Sequence, residues 1–172
     1  AFHLGERGIG YEETSELVRA DTLFGALCSV WAQLYGEEAV GEDLLPHAAG
    51  PWEPPFLFSS AFPRAGSVRF YPKPLLPPPG GDPAEWKDVK WLSEQAFTAW
   101  LVHRPSDRIV KVHDGVVALT EAECQTLERE LSDWQPDTPL WGVWRVPRVT
   151  LDVVTHASEL WHFGRLHFRP EC

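Results

Sequence analysis

Two apolar stripes of helical period, set among short runs of strand-like period, constrain this chain more than any other feature. The first stripe is Leu23, Leu27, Trp31 and Leu34. Asp21 before it is the expected N-cap of a helix over 22–35, and Gly36 is its expected stop. The second stripe is Cys124, Leu127, Leu131 and Trp134. It follows Thr120-x-x-Glu123, in which a hydroxyl and a carboxylate can satisfy each other's free amides as a capping box. A third, short helix is expected over 90–102.

Between and after these lie β-like runs at 56–58, 67–71, 109–112, 116–119, 141–146, 149–154 and 161–168. Pro63 to Gly66 and His113-Asp114-Gly115 are the expected turns. Residues 41–55 read as a loop, and Pro77-Pro78-Pro79-Gly80-Gly81 continues neither helix nor strand. No internal repeat is present. Separated helices and β-segments on a chain of 172 residues, long enough to bury a core, predict an α+β domain.

Charge limits the function. A formal net charge of −10 speaks against broad, non-specific attraction to nucleic acid. The acid is concentrated in residues 1–62, where Glu6, Glu12, Glu13, Glu16, Asp21, Glu37, Glu38, Glu42, Asp43 and Glu53 face only Arg7 and Arg19. Arg145, Arg148, Arg165 and Arg169 lie near the other end. An RNA surface on this chain must therefore be a local stripe, and the acidic half faces solvent or a protein partner. No run of apolar residues is long enough for a membrane span. Cys28, Cys124 and Cys172 are odd in number and widely spaced, which fits free thiols and a reducing cytoplasm rather than a disulfide framework. The opening Ala1-Phe2-His3-Leu4 reads as the end of a strand whose start is missing, so a fragment is expected.

Signals for catalysis are weak. Gly5, Gly8 and Gly10 lack phosphate-loop spacing, and no Gly-Lys-Ser/Thr follows. Ser59, Ser60, His3 and Asp21 have no nucleophile-elbow context. His156, His162 and His167 are six and five residues apart, a spacing that favours packing or stacking over metal ligation. No metal or other cofactor is expected. Metal-free RNA cleavage would need acid and base groups, and His3 and His156 are the residues to suspect for it. Trp91, Trp161 and Phe163 lie beside basic residues or histidines and are candidates to stack on bases, although core packing is the favoured reading of each.

Several blocks carry a resemblance. His3-Leu4-Gly5-Glu6 leads through Glu12-Glu13-Thr14-Ser15-Glu16 to Ala20-Asp21-Thr22-Leu23-Phe24-Gly25-Ala26-Leu27-Cys28. Ser59-Ser60-Ala61-Phe62-Pro63, Tyr71-Pro72-Lys73-Pro74 and Val89-Lys90-Trp91-Leu92-Ser93 follow in order. Pro147-Arg148-Val149-Thr150-Leu151-Asp152, Val154-Thr155 and His162-Phe163-Gly164-Arg165 complete the series. The chain thus resembles the N-terminal part of the fourth Csm subunit of type III-A CRISPR effector complexes, a RAMP protein. It departs at Ala20, where such proteins often have serine, and at Val153, where they often have arginine.

The resemblance implies a ferredoxin-like or RRM-like RAMP domain over residues 1–172, with a β-hairpin thumb and without the first strand and the C-terminal RAMP half. It implies a non-catalytic subunit that caps the 5′ tag of the guide RNA (crRNA). It also implies docking to the large Palm-domain subunit and to the first backbone subunit. Thr22 at a helix start, Lys73, Lys90 and Arg148 are then the expected phosphate contacts, and Thr150, Thr155 and His156 the expected thumb contacts to bases or 2′-hydroxyls. The alternatives are a guide-processing endoribonuclease of the same superfamily and a docking module without RNA contact.

Overall fold

Two strand-to-helix steps of the same design build the central sheet. In chain order the elements are β1 (Gly5–Arg7), β2 (Tyr11–Thr14), α1 (Ala20–Tyr35), α2 (Glu37–Asp43), β3 (Arg64–Ala65), β4 (Val68–Pro72), β5 (Trp91–Ser93), α3 (Glu94–Leu101), β6 (Ile109–Val112), β7 (Val117–Thr120), α4 (Glu121–Glu130), β8 (Trp141–Leu151) and β9 (Ser158–Phe168). The computed structural model describes residues 4–7, 11–45, 53, 56–102, 108–152, 154–155, 157–170 and 172. The chain divides into two compact units, one of residues 17–61 and one of residues 1–16 with 62–172.

The larger unit holds a five-stranded sheet of order β3-β4-β5-β7-β6 and a four-stranded sheet of order β1-β2-β9-β8. In the first, β5 and β7 are parallel and their other neighbours antiparallel. Strand side chains alternate between faces, so Tyr71, Leu92 and Ala118, which lie in register, share one face. There α3 covers them: Leu92 and Ala118 pack with Val89, Ala96 and Trp100, and Phe97 stacks on Tyr71 at 5.0 Å. Phe70 and Trp91 point the other way and meet Trp141, at ring distances of 5.3 and 6.1 Å. Every residue of β7 is buried, as a central strand covered on both faces requires.

At the end of β5, Ser93 caps α3 by accepting from the Ala96 amide. At the end of β7, Thr120 caps α4, and the capping box with Glu123 is complete. The buried Glu123 side chain then joins the two steps. It accepts from the Ser93 hydroxyl, from the Gln95 amide at 3.1 Å, and from the Thr120 amide and hydroxyl at 3.2 and 2.8 Å. One side chain thus holds the starts of two helices and the ends of two adjacent strands.

In the smaller unit, α1 and α2 are joined at Gly36, whose φ of +96° suits glycine. The indole of Trp31 donates to Asp43 at 3.0 Å, and a bridge pairs Val18 with Ala61. No residue of α1 is fully buried, and Leu34 at the end of its stripe is exposed.

The α+β class matches the sequence expectation, and four helices with a mixed five-stranded sheet are consistent with a ferredoxin-like architecture. Several local expectations are corrected. The first helix begins at Ala20 with Arg19 in the cap position. Asp21 does not cap; its carboxylate accepts from the next amide, Thr22, while the Ser60 hydroxyl receives the Ala20 amide. Residues 56–58 form no strand, and Phe58 packs edge-on to Phe24 of α1 instead. The first hairpin of the central sheet is β3–β4, turning at Gly66 with φ +51°. The segment 90–102 opens as strand β5, because Trp91, Leu92 and Ser93 are all buried between two covered faces. Part of the expected loop 41–55 is helical, since α2 runs to Asp43. Residues 141–151 form one unbroken strand through Pro147. This is allowed because β8 is an edge strand, where the missing proline N–H breaks no ladder on the open side. No helix among the described residues is long and apolar enough to cross a membrane.

Replacing Glu123 tests the joint between the two steps. Glu123→Gln puts an amide donor against the buried hydroxyl and N–H donors of Ser93 and Thr120. Urea unfolding is expected to show a loss of about 2 kcal/mol, and of about 2–4 kcal/mol for Glu123→Ala, which leaves those donors unsatisfied.

Candidate nucleic-acid interface

The hairpin of β8 and β9 is paired without a bulge from Trp141↔Phe168 to Leu151↔Ser158. Its root joins β2, which runs parallel to β9 with Tyr11 opposite His162 and Glu12 opposite Phe163. Gly164 lets this junction close: a Cβ there would lie 3.0 Å from the backbone nitrogen of Thr14. Beyond the junction the two strands continue as a free arm of roughly 15 Å at the rise of an extended chain. The arm closes at Asp152, whose amide donates to the Ala157 carbonyl at 2.9 Å. The Asp152 carboxylate accepts from the amides of Val154 and Thr155, both at 2.8 Å. Those two amides, with Thr155 first, hold the carboxyl below the usual carboxylate range.

Alternation divides the arm into two faces. One carries Trp144, Val146, Arg148 and Thr150 from β8 and His167, Arg165, Phe163, Trp161 and, near the tip, Glu159 from β9. The side chains of this face touch in two groups. Trp144 stacks on His167 at 4.9 Å and 24°. Arg165 and Arg148 lie 5.8 and 5.3 Å from the ring centre of Phe163. Trp161 lies 6.2 Å from Phe163 and donates its indole N–H to the Thr150 hydroxyl at 2.8 Å. The result is a ladder of guanidinium groups and aromatic rings, the combination that binds a phosphate backbone and stacks unpaired bases. The opposite face carries Pro147, Val149, Leu151 and Leu160, of which the last three are each at least 60% exposed.

The structure distributes the sequence-predicted site residues. Arg148 and Thr150 lie together on the ladder. Thr155 sits at the tip, where its hydroxyl accepts from the Ala157 amide at 3.4 Å. His156 lies outside the described residues, as do His3 and Val153. Lys73 and Lys90 are neighbours away from the arm, joined by the bond from the Lys73 amide to the Lys90 carbonyl at 2.8 Å. The Lys73 ammonium donates to the Trp86 carbonyl at 2.6 Å, while the Lys90 side chain is exposed. Thr22 belongs to the smaller unit, and its amide is already received by Asp21. An acidic side chain thus holds that helix start.

Trp144, Arg165 and His167 join this face beyond the residues to which the sequence points. Trp161 and Phe163 were noted for stacking but favoured as core, and on the arm both are only half-buried. Trp91, in contrast, is core at 5% exposure; its indole N–H donates to Glu16 at 2.6 Å, and that of Trp141 to the same oxygen at 3.3 Å. Among the described residues, no group of three or more His, Cys, Asp or Glu is placed to hold a metal ion.

The structure is thus an α+β domain with a β-hairpin that continues beyond its sheet. The chain is 29% identical over 156 residues, 91% of its length, to the "CRISPR system Cms protein Csm4" of Thermococcus onnurineus (strain NA1). It spans about half, 48%, of that relative's length. No protein-family model matches it. The chain is Csm4-like over nearly all of its residues.

His113, at the root of the arm, supplies a pH test. Its ring lies 5.3 Å from Trp141, and its Nδ1 is buried without a hydrogen-bond partner. Burial pulls its pKa below the ordinary value; Glu16 and Asp114 oppose that shift and Lys90 adds to it. The unfolded chain therefore takes up this proton at a higher pH than the folded chain. The stability that depends on a neutral imidazole is present above about pH 6.5 and is lost as pH falls below it. Thermal melts from pH 7.5 to 5 are expected to decline less steeply in His113→Asn, a residue that also tolerates the φ of +54° there.

Proposed function

We propose that this chain is a non-catalytic RNA-binding subunit of a type III-A CRISPR Csm complex, working in the cytoplasm in antiviral defence. It holds the 5′ tag of the guide RNA on the arginine–aromatic face of its β8–β9 hairpin. The observation that carries this reading is the series Arg165, Phe163, Arg148, Trp161 and Thr150 on one face of the β8–β9 hairpin, running from the β2 junction out onto the free arm. In a chain of net charge −10, such a concentration of cation and π-surface supports a local function rather than general polyanion attraction. The similarity to a Csm4 protein supports the same reading, and with it docking to the large Palm-domain subunit and the first backbone subunit.

Phosphates would set the register of the strand through Arg148 and Arg165, with bases stacking on Phe163 and Trp161. Lys90 and Thr155 are secondary contacts in this proposal. Lys73 supports its loop and contributes little to binding, because its ammonium is engaged with Trp86.

The test is the affinity of a labelled single-stranded RNA carrying a 5′ tag, measured over a salt series beside a scrambled tag. Phe163→Ala is expected to weaken binding about tenfold, within the range of a lost base stack. The double variant Arg148→Ala/Arg165→Ala should reduce the slope of log K against log salt by roughly 1.4. The RNA should remain intact throughout. Cleavage would move the endoribonuclease reading forward. Binding that ignores both variants would sink the assignment to this arm, and absence of binding with normal complex assembly would favour a docking module.

A further inference from the structure

The ladder ends at a pocket. Where the arm meets the central sheet, His113, Trp141, Trp144, His167, Phe168 and Arg169 surround an open cavity of about 460 Å³. Pockets that hold small organic ligands are typically about 300–1,000 Å³. Trp144 and His167, stacked face to face, form both the last rung of the ladder and one wall of the pocket. A strand lying along the ladder would therefore reach the pocket without leaving the protein surface.

We propose that this pocket receives a single unstacked nucleobase from the strand bound along the hairpin. The inference rests on the RNA-binding reading above and adds a subsite to it. Three features point to a base. The walls are largely aromatic, and a flat heterocycle gains most from such surfaces. The polar groups are two imidazoles and a guanidinium, whose nitrogens suit the hydrogen-bonding edge of a base. Arg169 is held in place by its bond to the Ser132 carbonyl at 3.1 Å, so it can meet the ligand with little further ordering. Among the described residues that line the pocket none is acidic, which suits the phosphate attached to a base.

The experiment is an abasic scan. The full chain is titrated with single-stranded tag oligoribonucleotides, each lacking the base at one position. Loss of one particular base is expected to weaken binding about tenfold, with much smaller effects at positions that lie outside stacking contacts. In Trp144→Ala/His167→Ala that position should lose its penalty. Phe163→Ala should weaken binding of every oligonucleotide and keep the position-dependent profile at the pocket. Circular dichroism of each variant establishes that it is folded. A scan that is flat, or one that keeps its peak in the Trp144/His167 double variant, overturns the pocket while the hairpin reading stands, provided Phe163→Ala still weakens binding. If the unmodified oligonucleotide does not bind to the wild-type chain even at low salt, both fall together. Pro139→Trp, which adds bulk to the pocket lining, provides an independent check and should abolish the same peak.

Discussion

The functional arm depends on how Trp141 is held. This first residue of β8 is 2% exposed and meets the rings of Phe70, Trp91, His113 and Phe168 at 5.3, 6.1, 5.3 and 6.4 Å. Its indole N–H shares the Glu16 carboxylate with that of Trp91. Aromatic pairs of this kind contribute about 0.5–1.5 kcal/mol each beyond the area they bury. Several such pairs on one ring fix the origin and direction of a two-stranded ribbon that would be marginal alone in water. The central sheet, the β2 junction and the arm meet at this side chain, so the position of the arginine ladder is set by packing at its root.

The charge distribution gains a physical meaning from the same geometry. Four arginines fall within residues 141–170 against Asp152 and Glu159, and Asp152 is spent on closing the tip. The acidic excess lies elsewhere in the chain. Guanidinium groups on Phe163 keep their charge while shedding part of their water onto the ring, which lowers the desolvation cost of meeting a phosphate. A lysine would serve less well there, being more strongly hydrated and unable to lie flat on the ring.

What the sequence made legible follows the range of the forces involved. The Thr120–Glu123 box and the turn at His113-Asp114-Gly115 are local, and both are as expected, the turn with positive φ at all three residues. Glu123 does more than its motif announces, because its partners Ser93 and Gln95 come from a distant segment. The start of α1 shifted because Ser60, forty residues away, supplies an acceptor. The break expected near Pro147 vanished because edge position depends on sheet order, which no local pattern states. At the candidate site, motif order points to Arg148 and Thr150, and the register places both on one face of the hairpin. Phe163 and Trp161 were assigned to the core by default, because aromatic residues are core in most contexts. A two-stranded arm has no core side, and only the register of β8 with β9 reveals that these rings face out beside arginines.

The exposed apolar face of the arm follows from the same architecture. Val149, Leu151, Val154 and Leu160 are 60%, 66%, 88% and 63% exposed, a poor surface for an isolated monomer. The free edge of β8 adds unpaired backbone groups beside them. Pro147 removes one edge donor, and Arg145 and Arg148 place like charges along the strand, so a second hairpin approaching edge to edge meets both a missing hydrogen bond and repulsion. The arm is thus guarded against pairing with itself while one face keeps its arginines and rings and the other keeps its apolar side chains. A projecting ribbon with two chemically different, solvent-facing sides is stable in that state only because its root is so firmly packed.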